Sequence, residues 1–189
     1  RDGTVLVQVS ALHRGSILGA RWLAARLAQV AALRPDLVAV VGALVDGNAA
    51  HVERLVPRLR ALRAPLGVWA VTGNHEYYAG LEQSVKLLED AGFRVLRDRA
   101  EEAAPGLVVA GIDDLTARQQ FNVKGTPLET ALTGRPAGAT VLLSHTPWEA
   151  EKAAALGVGL MLSGHTHDGQ LWPFNYLVAL RYPFVGDDF

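Results

Sequence analysis

The chain has 189 residues, a formal charge of −1 and no cysteine. Disulfides and thiolate metal sites are therefore excluded, and no global basic field argues for nucleic acid or an anionic membrane. Half the residues are hydrophobic and a fifth are charged, the balance of a folded domain with a substantial core; no apolar run reaches the roughly 18–20 residues of a membrane span.

Thr4 to Ser10 is rich in β-branched residues and predicts a strand. From Ser16 to Arg34, Ile17, Leu18, Trp22, Leu23, Leu27, Val30 and Leu33 recur at helical spacing, and Pro35 ends that helix. Leu37 to Val41 predicts a second strand. A second amphipathic helix follows over Ala49–Leu62, with a kink or late start at Pro57. Leu66 to Val71 predicts a third strand, leading into Thr72-Gly73-Asn74-His75-Glu76. A helix is expected at Leu81–Asp90, then strands at Phe93–Leu96 and Leu107–Ile112. Asp113 to Gly125 reads as irregular, and a short helix is expected at Leu128–Leu132. Thr140 to Ser144 predicts a strand ending at His145. A helix over Trp148–Leu156 then leads to a last core strand, Gly157–Leu162, and to Ser163-Gly164-His165-Thr166-His167-Asp168-Gly169. Strand, loop and helix alternate throughout, which predicts one α/β domain built on largely parallel sheet with flanking helices.

Five of the six histidines lie at strand ends: His13, His75, His145, His165 and His167. Only His51 sits elsewhere, near a helix start, where a solvated role is expected. An open α/β sheet builds its ligand crevice outside the carboxyl ends of its strands. Imidazoles gathered there with oxygen donors suit a borderline divalent ion.

Gly73-Asn74-His75-Glu76, the lone His145 after a strand, and Gly164-His165-Thr166-His167, in this order, resemble the calcineurin-like metallophosphoesterases. That family's pattern runs D-x-H, G-D-x-x-D, G-N-H-[D/E], H, G-H-x-H, and the likeness covers nearly the whole chain. The segments RPDLVAVVGALVDG, VTGNHEYYAG and SGHTHDGQLWPF are most similar to a bacterial branch often found behind membrane-anchoring segments. The resemblance implies an αββα sandwich and a hydrolase acting on phosphomonoester, phosphodiester or pyrophosphate bonds by two-metal activation of water. It implies two divalent ions (Mn, Fe or Zn): one held by the first-block carboxylate, His13 and His167, the other by Asn74, His145 and His165. His75 would face the leaving-group oxygen as general acid, oriented by Asp46. The implied partner is a phosphate-containing small molecule or a lipid-linked phosphate, at a cytoplasmic or peripheral inner-membrane location.

The chain departs from that pattern at two metal positions. The first block reads Ala11-Leu12-His13 and the second Gly42-Ala43-Leu44-Val45-Asp46, so Ala11 and Ala43 stand where the family has ligand carboxylates, the second of them bridging. Two dications about 4 Å apart repel by about 17 kcal/mol at an effective dielectric near 20. His13, Asn74, His145, His165 and His167 are all neutral donors and offset little of that. A tight two-metal centre is therefore not expected, and at most one ion would be held weakly at Asn74, His145 and His165. Catalysis should be strongly impaired, and a non-catalytic protein that binds a phosphate-bearing ligand or a partner is the alternative. Loss confined to two carboxylates fits selective inactivation better than decay, which would spread to His75 or His165.

Four other acids near the blocks have structural readings: Asp168 in an Asp-Gly turn, Asp113 and Asp114 in turn or capping use, and Glu76 as support for its loop. The chain does not open on Met and has no signal-like start, which suggests a processed product, an excised domain or a fragment. The short stretch after the last block predicts a second sheet lacking strands, with Trp172, Phe174, Tyr176, Tyr182 and Phe184 as core residues.

Overall fold

A computed structural model of the chain describes residues 3–10, 20–45, 53–54 and 56–166. Its first sheet takes its strands from the most apolar runs. β1 (Leu6–Val9), β2 (Leu37–Val41), β3 (Val68–Val71) and β4 (Arg94–Val95) lie side by side in that order, all parallel. β2 is buried along its whole length, which explains why its sequence, LVAVV, shows no polar alternation. The second sheet has the order β5 (Arg99–Ala104), β6 (Leu107–Gly111), β7 (Ala139–Leu143), β8 (Leu160–Leu162). Here β5 is antiparallel to β6 and the other pairs are parallel.

Because side chains alternate along a strand, each sheet offers two faces. Leu37, Ala39, Val41, Trp69 and Val71 of the first sheet meet Leu96 and, from the second sheet, Val109, Val141 and Leu143. Val38, Val40, Val68 and Ala70 point the other way. They are covered by Leu23 of α1 (Ala20–Ala32), Val56 and Leu59 of α2 (Val56–Leu59), and Val85 and Leu88 from a later helix at Leu81–Asp90. Beyond the second sheet, Ala110, Ile112 and Leu142 pack on Leu128, Ala131 and Leu132 of the helix Pro127–Leu132 and on Ala153 of the helix Ala150–Ala155. The result is helix, sheet, sheet, helix: the expected αββα sandwich.

Three elements differ from the sequence reading. Asn74–Ala79 forms a short helix, α3, directly after β3, so Leu81–Asp90 becomes α4. The segment read as irregular after β6 contains α5 (Leu115–Gln120), started by Asp114, whose side chain accepts the Ala117 N–H at 2.7 Å; Pro127–Leu132 and Ala150–Ala155 are then α6 and α7. β5 carries Arg99, Glu101 and Glu102, a charged edge strand that no apolar pattern marks. Among the described residues no helix is long and apolar enough to cross a membrane. The aromatic residues expected in the core between 172 and 184 lie outside the described residues.

Candidate active site

The ends of six strands meet at one edge of the sandwich. Ser10, after β1, donates its hydroxyl to the Val41 carbonyl at 2.9 Å, and Gln8 Nε2 donates to the Ser163 carbonyl at 2.7 Å. Thr72, after β3, donates its hydroxyl to Asp113 Oδ1, after β6, at 2.8 Å. The backbone N–H groups of Gly164 and His165, after β8, both donate to the carbonyl of His145, after β7, at 3.0 Å. These crossings bring the turns after β2 and β3, His145, and Gly164 and His165 to one end of the sandwich.

His145 is fully buried, and its Nδ1 lies 2.8 Å from the Val41 carbonyl. A carbonyl only accepts, so Nδ1 carries the proton and the lone pair of the neutral ring is on Nε2. That nitrogen stands 3.4 Å from Nδ1 of His165, with the two rings nearly perpendicular. Burial pulls the His165 pKa down, His75 adds to this and the Asp114 carboxylate opposes it. The net effect favours neutral imidazole, the form that ligates metal. Asn74 opens α3, and its Oδ1 is buried with no hydrogen-bond partner among the described residues. An orphaned amide oxygen of this kind costs free energy unless something else meets it.

His75 follows on the first turn of α3, half-buried, its ring edge-on to Tyr78 at 5.7 Å. Glu76 turns inward: fully buried, it accepts backbone N–H groups from Ala43 and Gly73 on Oε2 and from Leu44 and Val45 on Oε1, at 2.7–2.9 Å. Burial pushes its carboxyl up, while three of these N–H groups (Val45, Gly73 and Ala43) pull it down. These bonds reach the turns after β2 and β3, in keeping with the sequence reading of Glu76 as support for its loop rather than a metal ligand.

Asp113 is tied to Arg97 by an ion pair at 2.9 Å. Asp114 caps α5 and accepts the Thr146 hydroxyl, which also pairs with Thr116 at 2.9 Å. Burial raises the Asp114 carboxyl above its ordinary range. Neither the Val41 carbonyl that fixes the His145 tautomer nor the Thr116–Thr146–Asp114 chain was found from sequence. A backbone carbonyl leaves no residue-type signal, and Thr146 was hidden beside His145. His13, Asp46 and His167, together with Ala11 and His51, lie outside the described residues.

Residues 12–169 match the family model described as calcineurin-like phosphoesterase. The chain belongs to the calcineurin-like phosphoesterase family. It is 41% identical to an uncharacterized metallophosphoesterase of Aquifex aeolicus, over 82% of this chain and 59% of that protein. It is 36% identical to the transmembrane protein with metallophosphoesterase domain of Danio rerio, over 97% of this chain and 44% of that protein. The chain thus spans about half the length of these curated relatives. Among solved structures, a 5'-nucleotidase precursor from Thermus thermophilus superposes with a TM-score of 0.56 at 19% identity, covering 87% of this chain and 42% of that one. At that identity the likeness speaks for the fold.

Divalent metals come with this family, and three of the described donors fit such an ion. Asn74 Oδ1, His145 Nε2 and His165 Nδ1 are an oxygen and two nitrogen donors. His145 Nε2 and His165 Nδ1 stand 3.4 Å apart, close enough for both to meet one ion. Ala43, fully buried in the turn after β2, offers no side-chain donor. Among the described residues no cluster of three His, Cys, Asp or Glu side chains forms a metal group.

Proposed function

We propose that this calcineurin-like phosphoesterase is a domain built to hydrolyse phosphomonoester, phosphodiester or pyrophosphate bonds, strongly impaired in its Ala11/Ala43 form. The observation that carries the reading is the pairing of the His145 and His165 nitrogens, with the buried, partnerless Asn74 Oδ1 following Gly73, which abuts the His145 ring. Divalent ions bound in such a crevice lower the pKa of water and neutralise phosphoryl charge. Asn74, His145 and His165 form one half-site, and His13 and His167 contribute to the other. His75, half-buried at the rim, is the proton donor to the leaving oxygen, with Asp46 orienting it. The substrate is a phosphate-bearing small molecule or a lipid-linked phosphate. The second option, with a place at a membrane surface, draws support from the Danio rerio relative's description as a transmembrane protein.

Restoring Ala11→Asp together with Ala43→Asp should raise manganese-dependent hydrolysis of bis(4-nitrophenyl) phosphate on the order of 100-fold or more. A doubly restored chain that is folded, loaded with manganese and no more active than the parent would overturn this reading.

The buried Ala43 favours a second reading, a non-catalytic protein that binds a phosphate-bearing ligand without metal. That reading predicts inorganic phosphate binding that persists in chelator and survives His165→Ala. Loss of binding on either treatment removes it.

A further inference from the structure

Glu76 spends a buried charge entirely on backbone. Each carboxylate oxygen takes two N–H groups, and among the described residues no cation pairs with it. Three of the four donors, Ala43, Leu44 and Val45, are consecutive residues of the turn after β2. That turn is wound so that its N–H groups converge: Gly42 has φ +68 and Ala43 φ +53. Successive backbone N–H groups of a turn make an anion-binding concavity of this kind, here filled by a side chain. Left-handed geometry costs an alanine roughly 1–2 kcal/mol, so the turn persists because charge-assisted hydrogen bonds hold it. The fourth donor, Gly73, opens the turn that carries Asn74 and His75.

His145 is seated between these same two turns. A Cβ on Gly42 would stand 2.7 Å from its ring, and one on Gly73 would stand 2.8 Å from ring carbon Cδ2 and 2.7 Å from the Ala43 nitrogen. One carboxylate thus fixes the relative position of the segment with residue 43, the segment with Asn74 and His75, and the slot for His145.

We propose that Glu76 is the positioning residue of the site, holding the turns after β2 and β3 in the arrangement that seats His145 and presents Asn74 and His75. The inference rests on reading these residues as one site, but not on their hydrolysing anything. The site is then shaped before any metal arrives, by an anion that never touches the substrate.

Hydrogen exchange of the metal-free parent chain, followed by NMR, tests this without reading activity. The amides of Ala43, Leu44, Val45 and Gly73 lie in turns, yet they should exchange as slowly as those of β2 and β3. In Glu76→Gln, which keeps the size but loses the charge and one acceptor oxygen, these four should exchange at least about 100-fold faster relative to the strands. The His145 ring nitrogens and the Asn74 side-chain amide should shift with them. Val85→Ala, a core change under α4, should lower stability and leave the four amides and the His145 signals as in the parent. Fast exchange of the four amides in the parent overturns the proposal even if the glutamine variant fails to fold. So does a folded Glu76→Gln chain whose amide protection and His145 signals are unchanged.

Discussion

At His145 the site is shaped by what its neighbours lack. The ring fits because Gly42 and Gly73 have no side chains, and its tautomer is set by the Val41 carbonyl. Gly73→Ala tests the steric half of this alone, since Gly73 is not left-handed and alanine meets no backbone penalty there. The new methyl must displace either a buried imidazole or the Ala43 backbone, and overpacking of this kind costs about 2–3 kcal/mol. Urea denaturation of the variant should show that loss with an unchanged m-value. At this scale the sequence was informative about chemistry and silent about support. The histidines and Asn74 stood out by type and position, and Glu76 was read as a loop support. The glycine contacts depend on residues 30 to 100 positions apart, which no local pattern records.

Elements were legible where burial was complete or the apolar period long. β2, with five buried residues, and the ten-residue α4 emerged with the boundaries read from the sequence. Those missed are held by something other than an apolar face. α3 is six residues long and anchored by the inward carboxylate of Glu76, whereas β5 pairs through a charged edge. α5 depends on Asp114, which bonds the Ala117 N–H with one oxygen and the Thr146 hydroxyl with the other. Asp114→Ala should therefore cost about 2 kcal/mol, the upper end for a lost helix cap, because a buried hydroxyl loses its acceptor as well. Asp114→Asn keeps an oxygen for the cap and should cost less than about 1 kcal/mol. Thermal unfolding of both variants checks the ordering; equal losses would mean that the cap contributes nothing.

For the molecule as a whole, the crevice exists because two sheets approach closely at the ends of β3 and β6. The α/β class followed from alternation of strands and helices, but the division into two sheets, the αββα sandwich, came only with the family resemblance. The physical reason is that inward residues of both sheets, such as Val71 and Val109, look alike in sequence. At Gly111 the approach leaves no room for a side chain. A Cβ there would lie 2.5 Å from Leu96 Cβ and 2.6 Å from Val71 Cγ1, neither of which can swing away as the tip of a long side chain would. Val71 immediately precedes Thr72-Gly73-Asn74, and Gly111 immediately precedes Ile112-Asp113-Asp114. The Thr72–Asp113 hydrogen bond joins the two segments just beyond the contact. Gly111→Ala must therefore part the sheets where the site is assembled. The modest gain in strand propensity from alanine, about 0.5–1 kcal/mol, is outweighed by overpacking of about 3 kcal/mol. The variant should lose about 2 kcal/mol in urea and broaden or shift the NMR signals of Asn74 and His145, although it touches neither. A chain that absorbs the methyl with no loss of stability would mean that the sheets slide freely over one another, and the packing at Gly111 would then not be what sets the crevice.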